Sequence, residues 1–173
     1  TLPTMAAAIV GNVVERGTDR MVNRNLNDGL PAFLVSNPGL NSGFMIPQYT
    51  AAGLMNEIKH LATPATIDSI STCANQEDYV NMGYNAAKKA YDSMHLAKYI
   101  LAAELICDGQ ALDCYEDKRC AKGTQAIYDL LRSKVPEMDN DMPLTPYLEA
   151  VAQQIIDGAY IRTVEASVGA LKF

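Results

Sequence analysis

"NQEDYVNMGYNAAKKAYDSMHLAKYILAAELICDGQAL", Asn75–Leu112, contains no proline and carries Val80, Tyr84, Ala87, Tyr91, Met94, Leu101 and Leu105 at near-heptad spacing, with Lys98 the one polar interruption. The pattern predicts a single helix over about 75–112, roughly 55 Å long at 1.5 Å per residue. A helix of that length cannot bury its stripe inside a compact chain of 173 residues. It implies an all-α fold in which long antiparallel helices form part of a bundle, completed by this chain or by another.

Upstream, Thr4–Asn23 sets Val10, Val14, Gly17 and Met21 on one face of a second helix and Arg16, Arg20 and Arg24 on another. The arginine row reads as a solvated edge or, more sharply, as a subunit contact or an anion site. "NRNLNDGLPAFLVSNPGLNSG", Asn23–Gly43, breaks the pattern with Asp28-Gly29, Pro31 and Pro38-Gly39, which mark turns. Pro47 is tolerated in a first turn because its missing N–H would be unpaired there. From it Ala51, Leu54, Met55, Ile58 and Leu61 carry a helix to about Ala62, and Thr63-Pro64 ends it. Ala51-Ala52-Gly53 offers a thin face for close approach by another helix.

Downstream, residues 113–140 are richer in charge and include "YEDKRCAKG", Tyr115–Gly123, which reads as a surface connection ahead of a helix over about Thr124–Ser133. A last helix follows, with Thr145 as its N-cap, Pro146 at its first position, and Leu148, Val151, Ile155 and Tyr160 near one face. No segment reads as a β-strand.

An apolar share of 49% with 20% charged residues is ordinary for a soluble globular chain. The net charge of −6 argues against nucleic acid or an anionic membrane as partner, since both need a concentrated basic surface. No apolar run approaches the ~20 residues that span a bilayer. The opening, "TLPTMAAAIVGNVVERGTDR", lacks the basic lead and cleavage site of a signal peptide, so a cytoplasmic location is expected. It also has no initiator Met, Thr1 standing first, and enters a helical pattern at once, as a chain that begins inside a longer one would. Cys73, Cys107, Cys114 and Cys120 show no C-x-x-C spacing, and His60 and His95 stand apart from them, so no metal site is expected. The four thiols read as reduced, buried and inert.

Polar chemistry concentrates in "STCANQEDYVNMG", Ser71–Gly83, which the pattern puts at the start of the long helix. Free N–H groups and the positive end of the dipole favour an acceptor or an anion there. Asn75 as cap, with Asp78 completing a box-like first turn, accounts for part of the cluster. Consecutive helical residues point about 100° apart, which leaves Gln76 or Glu77 to face a cavity. A carboxylate so placed can accept from a substrate amine or ring N–H, or act as acid or base if desolvation raises its pKa. No G-x-S-x-G, H-E-x-x-H, phosphate loop or nucleotide fingerprint accompanies it, and spacing alone assembles no catalytic set.

Three runs carry a resemblance: "GLPAFLVSNPGLNSGFMIPQYTAAGL" (Gly29–Leu54), "ATPATIDSISTCANQEDYVNMG" (Ala62–Gly83) and "AAELICDGQALD" (Ala102–Asp113). Over about Ala6–Asp113 the chain resembles the aromatic amino acid ammonia-lyases, which include histidine, phenylalanine and tyrosine ammonia-lyases and related aminomutases. Asn75-Gln76-Glu77-Asp78 is most similar to the bacterial histidine enzymes, although Tyr79 stands where those usually show His. The phenylalanine enzymes usually put Gln where Glu77 falls.

The resemblance implies an elimination of ammonia assisted by 4-methylideneimidazole-5-one, which the family forms from an internal Ala-Ser-Gly. That tripeptide is absent here, because Val168 follows Ala166-Ser167. The family's catalytic Tyr and carboxylate-binding Arg also belong upstream of Thr1. The chain is thus expected to be the C-terminal portion of such an enzyme, with about 1–112 as central-bundle helices and about 113–173 as peripheral ones. Its expected partners are the complementary N-terminal portion, further copies in a homotetramer whose active sites draw on several subunits, and a small aromatic amino acid.

By resemblance Glu77 is the catalytic group, Met45, Asn75 and Gln76 bind substrate beside it, and no metal takes part. Met45 also reads as ordinary core. Histidine suits Glu77 because an imidazole N–H donates to a carboxylate, whereas a phenyl ring would leave that carboxylate buried and unpaired. A tyrosine or phenylalanine lyase, a 2,3-aminomutase, and a non-catalytic helical scaffold stand as alternatives.

Overall fold

The computed structural model describes residues 1–117 and 120–172, and over these the fold is all-α, as the sequence predicts. The helices are α1 (Leu2–Val22), α2 (Met45–Leu61), α3 (Gly83–Asp113), α4 (Lys122–Arg132), α5 (Thr145–Ile156) and α6 (Ala159–Val168). Lys118 and Arg119, within the expected surface connection Tyr115–Gly123, lie outside the described residues. No helix among the described residues is long and apolar enough to cross a membrane.

α1 buries Thr4, Ala7, Gly11, Glu15, Thr18 and Val22. The buried face is displaced from the expected one: Val10 is 58% exposed, while Val14 and Met21 are only half-buried at the margins of the core. Close approach decides the difference, because small residues let helix axes come near each other. A Cβ at Gly11 would meet the Met55 sulfur at 3.0 Å. Two of the buried polar members find partners. Arg16 and Gln48 donate to the Glu15 carboxylate at 2.6 and 2.9 Å, and the Thr18 hydroxyl donates to the Val14 carbonyl at 3.4 Å. Burial opposes ionisation of Glu15, but the Arg16 and Gln48 bonds outweigh it and hold the carboxyl below its ordinary value. Arg16, Arg20 and Arg24 are all exposed, Arg16 in ion pairs with Glu15 and Asp19.

α2 buries Pro47, Ala51, Met55 and Ile58. Ala51 is the thin contact anticipated, whereas Gly53 faces open space. α2 runs antiparallel to α3. Its first turns share a cleft with Tyr99 and Ala103, and its last residue, Leu61, shares one with Met82, Asn85 and Lys88.

α3 starts at Gly83, eight residues later than the pattern predicts. Local backbone bars a start at Asn75: Cys73, Ala74 and Asn75 have φ of 53°, 54° and 69°, left-handed values that no right-handed helix accommodates, and beyond it the Thr72–Glu77 backbone exchange and the Val80 N–H bond to Ser69 keep the chain in a loop. From Ile100 onward α3 buries Ala102, Ala103, Ile106, Cys107 and Ala111 against the rest of the chain. Tyr84, Tyr91 and Met94, in its first half, remain exposed. The near-heptad stripe is therefore not the face this chain buries; α1 and α2 occupy the small-residue face instead.

The second core gathers Val22, Leu34, Phe44, Ile106, Leu131, Val135, Met138, Val151 and Tyr160 around the C-terminal half of α3. Arg132 ties α4 into it by pairing with Asp113 and donating to the Val135 and Pro136 carbonyls, both at 3.0 Å. The expected last helix is broken in two at Gly158, whose φ of 67° ends one helix and starts the next. Thr145 is the first helical residue of α5 rather than its cap, and its side chain makes no capping bond. Of the four thiols only Cys107 is buried, and burial raises its pKa well above the ordinary value. Cys73 and Cys114 are exposed and Cys120 is intermediate, because three of the four positions lie on connections outside the helix cores.

Candidate active site

The segment leading into α2 is bent by unusual backbone. Phe33, Leu34 and Asn37 adopt positive φ, as do Gly39 and Gly43. Gly43 is obligatory on two counts: its φ is 58°, and a Cβ there would stand 2.5 Å from the Phe33 carbonyl oxygen. That close approach lets the Phe44 N–H donate to the same carbonyl at 2.9 Å, with the Phe44 ring fully buried.

Two side chains from distant sequence lock the bend. Gln110, buried on α3, donates to the Leu34 and Met138 carbonyls at 3.1 and 2.9 Å and accepts from the Met138 N–H at 3.1 Å. Asp141 accepts from the N–H groups of Ser42 and Gly43, each at 2.8 Å. These two bonds hold the Asp141 carboxyl below its ordinary value. Met45 follows as the first residue of α2, 38% exposed. An open cleft of about 580 Å³ adjoins this end of α2, lined mainly by apolar groups such as Ile46, Tyr99 and Leu144, with Asp141 at its edge.

The second candidate region is the connection from α2 to α3. Thr72 and Glu77 exchange backbone bonds, Thr72 N–H to Glu77 carbonyl at 2.9 Å and the reverse at 3.3 Å. The Ser71 hydroxyl donates to Asn75 Oδ1 at 2.7 Å, and Ser69 Oγ accepts from the Val80 N–H at 3.1 Å. Asn75, Gln76, Glu77 and Asp78 thus lie in a tight exposed loop, not in a helical first turn, and Asn75 caps no helix. The backbone of Glu77 is pinned while its carboxylate finds no hydrogen bond or ion pair among the described residues.

The structure brings Asn75, Gln76 and Glu77 together and leaves Met45 apart from them. Because α2 and α3 are antiparallel, Met45 stands at one end of the pair and Glu77 beyond the other, about 25 Å away along a helix of 17 residues.

Sequence reasoning overlooked Gln110, Asp141 and Glu104. Glu104 lies half-buried on α3 against Gly17 of α1, where only a missing Cβ leaves it room. Burial, and then the neighbouring Asp108 charge, push its pKa up to about 7. An acidic pair at i and i+4 within the most apolar part of α3 was the available signal; nothing in the local sequence marks Asp141.

Residues 3–133 match the family model described as aromatic amino acid lyase. The histidine ammonia-lyase of Natranaerobius thermophilus is 46% identical over 169 residues, an alignment covering 98% of this chain and 33% of that protein. Among solved structures, histidine ammonia-lyase from Trypanosoma cruzi superposes with a TM-score of 0.89 at 38% identity, over 95% of this chain and 33% of that one. Tyrosine aminomutase from Streptomyces globisporus gives 0.91 at 32% identity, over 95% and 31%. The chain spans about a third of the length of the curated relatives it matches.

Proposed function

The chain belongs to the aromatic amino acid lyase family, and from that premise we propose that the protein it is part of eliminates ammonia from L-histidine to give trans-urocanate. One observation carries the choice of substrate: the Glu77 carboxylate is held by its backbone yet has no partner within the described residues. Glu77 is exposed in this chain; once the proposed assembly encloses it, its carboxylate needs a donor, and an imidazole N–H supplies one where a phenyl ring does not. Relatives about 45% identical that carry the name histidine ammonia-lyase support the same choice.

In the elimination the Cα–N bond breaks with its electron pair leaving on nitrogen, a base takes a proton from Cβ, and the freed pair forms the Cα=Cβ bond. Glu77 is assigned to the ring side of the substrate, as hydrogen-bond acceptor and proton-transfer group, with Asn75 and Gln76 beside it. The family's 4-methylideneimidazole-5-one supplies the electrophile that makes the amino group able to leave. This chain does not form that group. Its Ala166-Ser167 is followed by Val168 in the last turn of α6, where the Ser167 hydroxyl donates to the Val164 carbonyl at 2.8 Å.

The complementary N-terminal portion is therefore the proposed source of the electrophile. A site using both Met45 and Glu77 draws them from different copies, which supports active sites shared between subunits of the proposed homotetramer. The exposed Ile9 and Val13 of α1 and Tyr84, Tyr91 and Met94 of α3 are apolar surface available for that assembly. A cytoplasmic role in histidine breakdown goes with this reading.

The test is urocanate formation by the full-length protein, with tyrosine and phenylalanine offered in parallel. Glu77→Gln is expected to lower turnover of histidine about 100-fold with the melting temperature unchanged. Equal turnover by the variant would remove Glu77 from the chemistry, and release of cinnamate, coumarate or a β-amino acid instead of urocanate would replace histidine as the substrate.

A further inference from the structure

Asp141 lies beyond the residues matched by the family model, on the connection between α4 and α5, yet it grips the segment that delivers Met45. Its two carboxylate oxygens are used separately, Oδ2 by the Ser42 N–H and Oδ1 by the Gly43 N–H. The contact is reciprocal, since Asn41 Oδ1 accepts from the Asp141 N–H at 3.3 Å while Asn41 Nδ2 donates to the Ser36 carbonyl at 2.9 Å. Gln110 secures the neighbouring Met138 to Leu34, so the 138–141 stretch is itself anchored to α3. Ser42 then passes the constraint on, because its carbonyl accepts from the Met45 N–H at 3.3 Å.

The Ser42 and Gly43 N–H groups point outward where the chain turns into α2, and no helical carbonyl can satisfy them. Without the carboxylate, the Gly39–Gly43 turn would keep its own bonds, the Phe44–Phe33 contact and the long Asn41 bonds to Asn140 and the Asp141 N–H, and the Ser42 and Gly43 N–H groups would lose their acceptor.

We propose that Asp141 is a positioning residue of the active site, fixing Ser42–Gly43 and through them the substrate-facing placement of Met45. The inference rests on the functional reading above, in which Met45 lines the substrate pocket. It requires that loss of Asp141 weaken substrate binding more than it slows the chemistry, because the groups that transfer protons lie elsewhere.

The experiment compares full-length wild type with Asp141→Asn and Asp141→Ala. It reads KM and kcat for L-histidine, hydrogen exchange of the peptide covering 36–46, and the melting temperature. Asparagine keeps one acceptor oxygen and turns an N–H donor toward the other backbone N–H, so it should fall between aspartate and alanine. The expected result is a KM raised about tenfold in Asp141→Ala, less in Asp141→Asn, with kcat within about twofold and faster exchange in 36–46. An unchanged KM in an active Asp141→Ala protein overturns the proposal, as does a change confined to the melting temperature. A wild type inert toward every aromatic amino acid overturns the functional reading, and with it the pocket that Asp141 would position.

Discussion

Two connections in this chain carry the family-like motifs, and they are held in opposite ways. The connection from α1 to α2 is folded into the second core, with Leu34, Val35 and Phe44 buried and with Gln110 and Asp141 bonded to its backbone from far along the sequence. The connection from α2 to α3 is exposed throughout residues 66–79; Lys89 of α3 donates to the Thr63 carbonyl at 2.9 Å near its start, and the bonds found in 66–79 are local ones. Both contain non-glycine residues at positive φ, a strain that costs energy wherever it occurs. In the first, burial and long-range hydrogen bonds offset that cost within the chain. In the second, the positive-φ turn at Cys73–Asn75 is held among the described residues by local bonds such as Thr72–Glu77 and Ser71–Asn75. The comparison separates a segment fixed by the rest of the chain from one fixed by local bonds.

Substitution at Gly43 should break the contrast most forcefully. Gly43→Ala puts a methyl group against the Phe33 carbonyl at an unfavourable φ, and a loss of about 3 kcal/mol is expected in urea unfolding. A loss under about 0.5 kcal/mol, the ordinary scale of a surface substitution, would mean that the first connection is as loosely held as the second.

A smaller effect, with its size set by pH, is expected at Glu104. Burial raises its folded pKa from 4.5 to about 7, with Asp108 adding to the shift, so the folded chain binds more protons than the unfolded one between those values. Stability from this group is fully present below about pH 4.5 and is lost as pH rises through about 7. Glu104→Gln should therefore raise the melting temperature at pH 8 and leave it little changed at pH 4.5. An equal shift at both pH values would show that the gain comes from packing against Gly17 instead of from the charge.

Least of all should follow from Ser71→Ala. It removes the exposed bond to Asn75 and is expected to change stability by less than about 0.5 kcal/mol, while hydrogen exchange in 70–80 quickens. A larger loss would place the second connection among the structural elements and erase the distinction.

Much of this could be read from residue order, and the failures have particular causes. The α2 helix, its end at Thr63-Pro64 and the helix over Lys122–Arg132 follow from periodicity and proline placement, which act locally. The α1 face is displaced from the one the sequence predicts because Val10 is more hydrophobic than Ala7, Gly11 and Thr18, yet small residues allow the closer approach. The first eight residues assigned to α3 were wrong because uncharged-to-acidic residues after a Ser-Thr pair look like a capped helix start. The left-handed turn at Cys73–Asn75 leaves no such mark in residue type.

Sequence alone determined the all-α class, the places where chain direction changes and the family likeness, because helix period, proline and motif identity are properties of neighbouring residues. Tertiary structure decided which helix faces are buried, that Met45 and Glu77 stand at opposite ends of an antiparallel pair, and that Gln110 and Asp141 hold the first connection. Those outcomes depend on close approach and hydrogen-bond satisfaction between segments up to about 100 residues apart, and no local pattern encodes such distances.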